Sequence, residues 1–280
     1  MAMFAAIEAR PRRDALFIVT LALCGTVLLL GAFGALIAPY DPLSVNAAQQ
    51  LMPPSLPHPC GTDQVGRDIC SRIIAATRLD LTIGILSAAL ALVVGGFVGA
   101  IAGFYGGWTD RLCMWIVDTI MAFPLFLLAM GIIAALGNSF ANIVYATAIV
   151  NIPFYARTVR TEMMQRRNAG FVEAAQVAGN SRLRILAVHL FPCAIPGLAV
   201  QVSLTMGWAI LNAASLSFIG LGITPPAPEW GLMVAEGASF IISGQWWVSL
   251  MPGTVLVVVV LSFNLLGDGL RDLLDIRERR

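Results

Sequence analysis

Lysine is absent from this chain: all 17 basic residues are arginine. Charge of either sign is scarce, at 12% of 280 residues, where a soluble domain averages about 25%. The formal net charge is only +1, which argues against nucleic acid as a partner. There are two histidines, His58 and His189, and there is no HExxH, no Gly-x-Ser-x-Gly elbow and no Walker A sequence. These gaps argue against a zinc protease, a serine hydrolase and a chain that hydrolyses ATP by itself. No catalytic residue, metal site or resident cofactor is expected.

What is abundant is apolar sequence, 58% of residues with a mean hydropathy of +0.83. A helix that crosses a bilayer needs about 20 apolar residues, because hydrocarbon satisfies no backbone polar group. Six segments qualify: 15–38, 79–104, 112–136, 139–156, 195–216 and 248–266. The fold class expected is an all-α polytopic membrane protein with six transmembrane helices. A single run over 112–156 is too long for one span, so Gly137-Asn138-Ser139 reads as a tight turn. The first run is longer than the h-region of a signal peptide and no A-x-A site follows, so it reads as an uncleaved helix.

Arginine placement orients the spans. With the N-terminus inside, cytoplasmic segments hold 14 of the 17 arginines, and the outer ones hold Arg67, Arg72 and Arg78. This asymmetry fits the positive-inside rule. Both termini and the segment 157–194 are expected in the cytoplasm, and 39–78 and 217–247 outside. The two histidines then fall on opposite sides of the membrane.

The cytoplasmic segment carries the most specific pattern, Glu173-Ala174-Ala175 followed by Gly179. The spacing predicts a helix up to Ala178, ended by a left-handed Gly179. Ser181 then caps a second helix from Arg182 to about Leu190, which Pro192 helps terminate. Ala174, Ala175 and Ala178 make a small-residue face, and Glu173, Arg182 and Arg184 supply charges that fix a register. The bland alternative is an amphipathic helix on the inner leaflet, anchored by Phe171, Val172 and Val177.

Other features have structural and functional readings side by side. Residues 62–76 predict an outer amphipathic helix, with Asp63–Arg67 and Asp68–Arg72 as i,i+4 ion pairs, lying flat at the interface. A helix across 62–70 would hold Cys60 and Cys70 beyond the reach of a disulfide, so no bridge is expected. Ser87, Ala91, Gly95, Gly99, Gly103 and Gly107 form a small-residue ribbon, for a partner subunit or for packing within the chain. Asp118 is an acidic residue well inside a span, near Arg111, and reads as a satisfied structural carboxylate. The outer segment 217–247 is rich in proline and glycine. It suggests a short dipping helix, with Glu229 and Glu236 as candidates for docking a binding protein and Trp246-Trp247 as an interfacial belt.

The segment from Phe171 through Gly179, followed by Arg184-Ile185 and His189-Leu-Phe-Pro192, resembles the EAA loop of ABC-importer permeases. Phe191 departs from that pattern, where leucine is usual. His58-Pro-Cys-Gly-Thr-Asp-Gln-Val-Gly-Arg-Asp68 is similar to a signature of the second permease subunit of dipeptide, oligopeptide and nickel importers, with Cys60 where leucine is common. Tyr105-Gly-Gly-Trp108, Ala122-Phe-Pro124, Leu216-Ser-Phe-Ile-Gly-Leu-Gly222, Pro228-Glu-Trp-Gly231 and the stretch Phe263 to Asp272 resemble the same subfamily. The resemblance covers the chain from about residue 36 onward.

The resemblance implies a type I ABC-importer transmembrane-domain fold. Residues 1–78 would form a tail, a first span and an extracytoplasmic segment, and 79–280 a five-helix transmembrane domain with the coupling loop at 157–194. Glu173, Ala174, Ala175, Gly179, Arg182 and Arg184 would meet a separate ATPase. Gly95, Gly99 and Gly103 would pack helices, and Asp63, Gly66, Arg67 and Asp68 would form the extracytoplasmic motif. The partners implied are a second homologous permease, two ABC ATPase subunits that hold ATP and Mg, an outer solute-binding protein, and membrane lipid. Small peptides are the leading substrate class, with nickel or a metal chelate as the alternative. An ion-coupled secondary transporter is the rival from another class; it requires inverted repeats, and no convincing repeat is found.

Overall fold

The structure is a computed structural model that describes the backbone of residues 2–278 and the side chains of residues 17–274. Arg10, Arg12, Arg13, Arg277, Arg279 and Arg280, which support the expected placement of the termini, lie outside the described side chains. The elements are α1 (Ala2–Ile37), α2 (Ile69–Tyr105), α3 (Gly107–Met121), α4 (Leu125–Leu136), α5 (Phe140–Arg166), α6 (Gly170–Val177), α7 (Arg182–Arg184), α8 (Phe191–Phe218), α9 (Trp230–Ala238) and α10 (Trp247–Glu278). A π turn, Ile185–Leu190, joins α7 to α8, so one helix runs continuously from Arg182 to Phe218.

Among the described residues four helices are long and apolar enough to cross a membrane: Phe17–Ile37, Ile69–Tyr105, Arg182–Phe218 and Trp247–Leu274. The expected third span is not one helix. It breaks at Ala122–Pro124 into α3 and α4, which meet at 88° and count together as a fifth candidate. Pro124 offers no N–H and disfavours helical geometry at the residue before it, so the break has a local cause. The fourth expected span, α5, is 27 residues long but is not among the helices apolar enough by composition. The turn between α4 and α5 forms as the sequence predicts: Gly137 is left-handed, and Ser139 accepts the Asn142 N–H at 3.1 Å to cap α5.

Helix α5 tolerates its polar residues because other helices cover it, α2 above all. The small-residue ribbon of α2 makes this contact. A Cβ added at Gly95 would come within 2.6 Å of the Ile152 carbonyl oxygen, and one at Gly103 within 2.6 Å of that of Arg160. At Gly99 it would overlap the Ala156 carbonyl. Backbone therefore lies on backbone over about two helical turns, and the Ser87 hydroxyl donates to the Val144 carbonyl at 3.3 Å. The ribbon packs within the chain. Gly107 does not belong to it; it starts α3 with open space around it.

In the segment between α1 and α2 the expected helix over 62–76 is absent before Ile69. Residues 62–68 fold into a tight loop closed by a bridge between Thr62 and Asp68. Gly66 is left-handed there, against the Asn46 carbonyl. Asp68 begins α2 as its cap: one carboxylate oxygen accepts the Ser71 N–H and hydroxyl, each at 2.7 Å, and the other meets His58 Nδ1 at 2.9 Å. Asp68 is thus spent on the cap, and its expected pairing with Arg72 does not form. Arg72 turns to Asp63 at 2.6 Å and to Glu236 of α9 at 3.0 Å, while Arg67 Nε also donates to Asp63 at 2.6 Å. Asp63, Arg67, Asp68 and Arg72 are all buried.

Cys60 and Cys70 form a disulfide with their Cα atoms 5.3 Å apart, contrary to expectation. The expectation assumed a helix through 62–70; a loop that folds back on itself brings the two ends together instead.

The dipping helix of the 217–247 segment is α9. Glu229 caps it by accepting the Gly231 and Leu232 N–H groups at 2.9 and 2.6 Å. Burial raises the Glu229 carboxyl above its ordinary range, next to Asp80 of α2. Asp80 accepts the Trp230 N–H at 3.2 Å, and the Trp230 indole donates to the Ile73 carbonyl at 3.2 Å. Glu229 and Glu236 are therefore occupied inside the chain rather than offered to a docking protein. Trp247 is buried and donates to the Thr62 carbonyl at 3.3 Å, so of the tryptophan pair only Trp246 is exposed.

Two substitutions test these contacts. Gly99→Val is expected to destabilise the chain by about 1–3 kcal/mol through overpacking, read as a lowered melting temperature in detergent. Asp63→Ala leaves two buried guanidinium groups with only their longer contacts to Glu236. It is expected to cost about 3–5 kcal/mol, and a melting temperature equal to the parent's would refute the network's role.

Candidate functional site

The loop expected in the cytoplasm is built on the end of α5. That helix carries Arg157, Arg160 and Arg167 toward the α2–α3 corner. Arg160 makes a bidentate pair with Asp110, with Nη2 at 2.7 Å from Oδ2. Arg167 donates to the Gly103 carbonyl at 3.3 Å. Asp118 pairs with Arg157 at 2.7 Å rather than with Arg111, and both side chains are about half exposed; Arg111 lies over the Trp108 ring at 5.7 Å. These contacts fix the platform from which the loop projects.

Helix α6 lies across this platform by an apolar stripe. Val172 and Ala175, three residues apart, are buried against Val159, Met163, Ile185, Leu186 and Leu190. The opposite face is open: Phe171, Glu173, Ala174, Gln176, Val177 and Ala178 are exposed, Val177 at 91%. The small-residue face presented outward is therefore Ala174 and Ala178, without Ala175, which the 3.6-residue period turns inward. Val172 likewise points away from Phe171 and Val177, so these three cannot anchor one face on lipid.

Two hydrogen bonds end α6. The Gly179 N–H reaches the Gln176 carbonyl at 3.0 Å and the Asn180 N–H reaches Ala175 at 3.1 Å, the paired bonds of a Schellman cap. Gly179 has φ +80 and nothing near its missing Cβ, so its requirement is conformational and not steric. Ser181 then accepts the Arg184 N–H at 3.3 Å and starts α7. Pro192 does not stop the chain of helical turns. The Phe191 N–H bonds back five residues to Leu186, and the wider π turn accommodates the missing donor one residue later.

The charged groups fall into two sets. Arg157, Arg160, Arg166 and Arg167 have acceptors within the chain. Glu173, Arg182 and Arg184 are exposed, with no side-chain partner among the described residues. An exposed helix with two apolar ends, a small centre and unspent charges of both signs is suited to seat in another protein's groove. The predicted residues Glu173, Ala174, Gly179, Arg182 and Arg184 share this surface, and Ala175 supports it from behind. Leu183, 71% exposed beside them, was not singled out from sequence; its place on a capped first turn was the available signal. Asp63, Gly66, Arg67 and Asp68 are remote from this surface, in the tight loop before α2.

Residues 95–280 match the family described as binding-protein-dependent transport system inner membrane component. The chain is 42% identical over 264 residues to the dipeptide transport system permease protein DppC of Alkalihalophilus pseudofirmus, covering 94% of this chain and 86% of that protein. It is 41% identical over 249 residues to the probable D,D-dipeptide transport system permease protein DdpC of Escherichia coli (strain K12), covering 89% and 83%. It is 43% identical over 222 residues to the glutathione transport system permease protein GsiD of Pectobacterium atrosepticum, covering 79% and 73%. In fold it is similar to the solved MetNI methionine ABC transporter in an inward facing conformation, with a TM-score of 0.59 at 19% identity over 74% of this chain and 97% of that one.

Gly179→Ala forces a side chain into the left-handed region and is expected to cost about 1–2 kcal/mol locally. Amide exchange over residues 170–185 should speed up while exchange in α2 is unchanged; equal protection in the loop would refute the cap.

Proposed function

Because the chain belongs to the binding-protein-dependent transport system inner membrane components, we propose that it is the second permease subunit of an ATP-driven importer of small peptides in a bacterial inner membrane. The observation that carries this reading is the exposed α6 face with its unspent Glu173, followed by the unspent Arg182 and Arg184 of α7, on a chain without a Walker A sequence. The peptide and dipeptide names of the relatives support the substrate class. Two ABC ATPases, holding ATP and Mg, would seat α6, and a second homologous permease would complete the pathway. An outer binding protein would deliver the peptide.

In this reading α5 also crosses, which brings the crossings to six, made possible by its coverage inside the bundle, and both termini are cytoplasmic. ATP binding closes the ATPases and moves α6. The buried contacts of Val172 and Ala175 with Met163, Ile185 and Leu190 pass that movement into α5 and into the long helix that ends at Phe218. Residues 157–194 act as the coupling loop, and 79–280 as the transmembrane domain.

Glu173→Lys in the reconstituted importer tests the reading. It reverses one charge on an exposed position, so the fold should persist while peptide uptake and its stimulation of ATP hydrolysis fall at least tenfold. Undiminished coupling would refute α6 as the ATPase contact.

A further inference from the structure

The bundle's exposed surface at membrane depth is mostly apolar: Ile85, Leu86, Val93 and Phe97 of α2 are open, as expected of a lipid face. One face departs from this. Gln201, Thr205, Trp208 and Asn212 of α8 recur at spacings of three and four residues, so they share a stripe. With Asn151 of α5 they line a cavity of about 300 Å³.

Several of its polar groups are unspent. Asn151 commits its amide nitrogen to the Thr147 carbonyl at 2.7 Å, and Gln201 its own to the Thr205 hydroxyl at 3.3 Å. The side-chain carbonyls of both have no partner among the described residues, and Asn212 has none for either end. Asn151 is 5% exposed. An amide facing hydrocarbon without a partner costs several kcal/mol in general, so this face meets water or polar ligand rather than lipid.

Two neighbours agree. Val150, Phe154 and Arg157 fall on one stripe of α5, so the half-exposed Arg157–Asp118 pair continues the same wall toward the cytoplasm. The break at Ala122–Pro124 is exposed, and Leu125, the first residue after it, lines the cavity. Irregular backbone at membrane depth is tolerated where it is covered by protein or lines an aqueous cavity.

We propose that Asn151, Gln201, Thr205 and Asn212 form this subunit's wall of the passage site for the transported peptide. The site takes a short peptide through its backbone amides. Each side-chain amide offers a donor and an acceptor that a peptide bond can match whatever its side chains, while Phe154 and Trp208 supply apolar contact. The lining carries no charge, so neither terminus of the peptide is trapped there. The inference rests on the peptide reading above.

The test uses the whole importer in liposomes, with Cys24, Cys113 and Cys193 replaced by alanine and the Cys60–Cys70 bridge kept. Trp208→Cys and Asn212→Cys, at exposed and half-buried positions, are probed with a charged, water-borne thiol reagent, with Val93→Cys as the lipid-face control. Reaction at 208 and 212 but not at 93, slowed about tenfold by Ala-Ala during ATP turnover, is the expected result. Gln201→Leu should raise the KM for Ala-Ala uptake about tenfold, as the loss of one buried hydrogen-bond partner implies. No reaction at 208 and 212 in any state, as packing against the second permease gives, overturns the proposal. So does reaction that Ala-Ala leaves unslowed in an importer that takes up Ala-Ala. A parent importer that takes up no Ala-Ala yet reacts at 208 and 212 overturns the peptide reading, and leaves these residues lining a passage for some other solute.

Discussion

The contact between α2 and α5 is the constraint on which the rest depends. Inside a bilayer, helices gain little from hydrophobic association, because lipid tails are as apolar as leucine; close packing and hydrogen bonds must do the work. Gly95, Gly99 and Gly103 let the α5 backbone approach to van der Waals distance. Only because α5 is held this closely can it carry Asn142, Asn151 and a run of arginines. Those arginines then hold α3 through Asp110 and Asp118 and the end of α2 through the Gly103 carbonyl. Removing the glycines would displace the arginines, the corner they fix and the platform under α6 together.

The segment between α1 and α2 solves a different problem. Residues 38–68 have little regular structure, so their backbone groups need partners of another kind. Asp63 satisfies two of them, accepting the Val65 and Arg67 N–H groups with one oxygen, and takes the Arg67 and Arg72 guanidinium groups with the other. Glu236 then ties this knot to α9, and the Cys60–Cys70 bridge closes the loop across its ends. Buried charge of this kind contributes little net stability compared with apolar packing, but it is costly to break. What it contributes here is register: one loop, one helix start and one dipping helix are held in a single arrangement.

Much of this was legible in the sequence, and what escaped has physical causes. The apolar runs marked the helices, the Gly137 turn and the Gly179 cap formed where the residues required them, and the motifs pointed to the transport family. Boundaries failed where tertiary contacts override local pattern. The period of Val65, Ile69 and Ile73 mimics a helix, but Asp68 caps at Ser71 and excludes everything before it. The same error made the disulfide look unreachable. Pro192 reads as a stop signal, yet a π turn absorbs it. Ala175 looks equivalent to Ala174 as a letter, and only the packing of α6 onto Met163 and Ile185 distinguishes them. Glu229 and Glu236 look available because no sequence pattern announces Asp80 or Arg72 as their partners.

The long helix from Arg182 to Phe218 joins the two ends of the proposed mechanism. Its first turn lies beside the exposed face of α6, and its Gln201–Asn212 stripe forms part of the passage wall. At 1.5 Å per residue, Arg182 and Gln201 are separated by roughly 28 Å along the axis, which a rigid rod would carry as a single tilt. This rod is not uniform, because Pro192 and Pro196 follow the π turn within two helical turns. Proline and π turns weaken the hydrogen-bond ladder and favour bending there. A push at α6 would then divide into a tilt of the wall and a bend at the π turn. The buried side chains Ile185, Leu186 and Leu190 hold the bend against α5 and α6, so the division is set by their packing rather than by the exposed residues that an ATPase would touch.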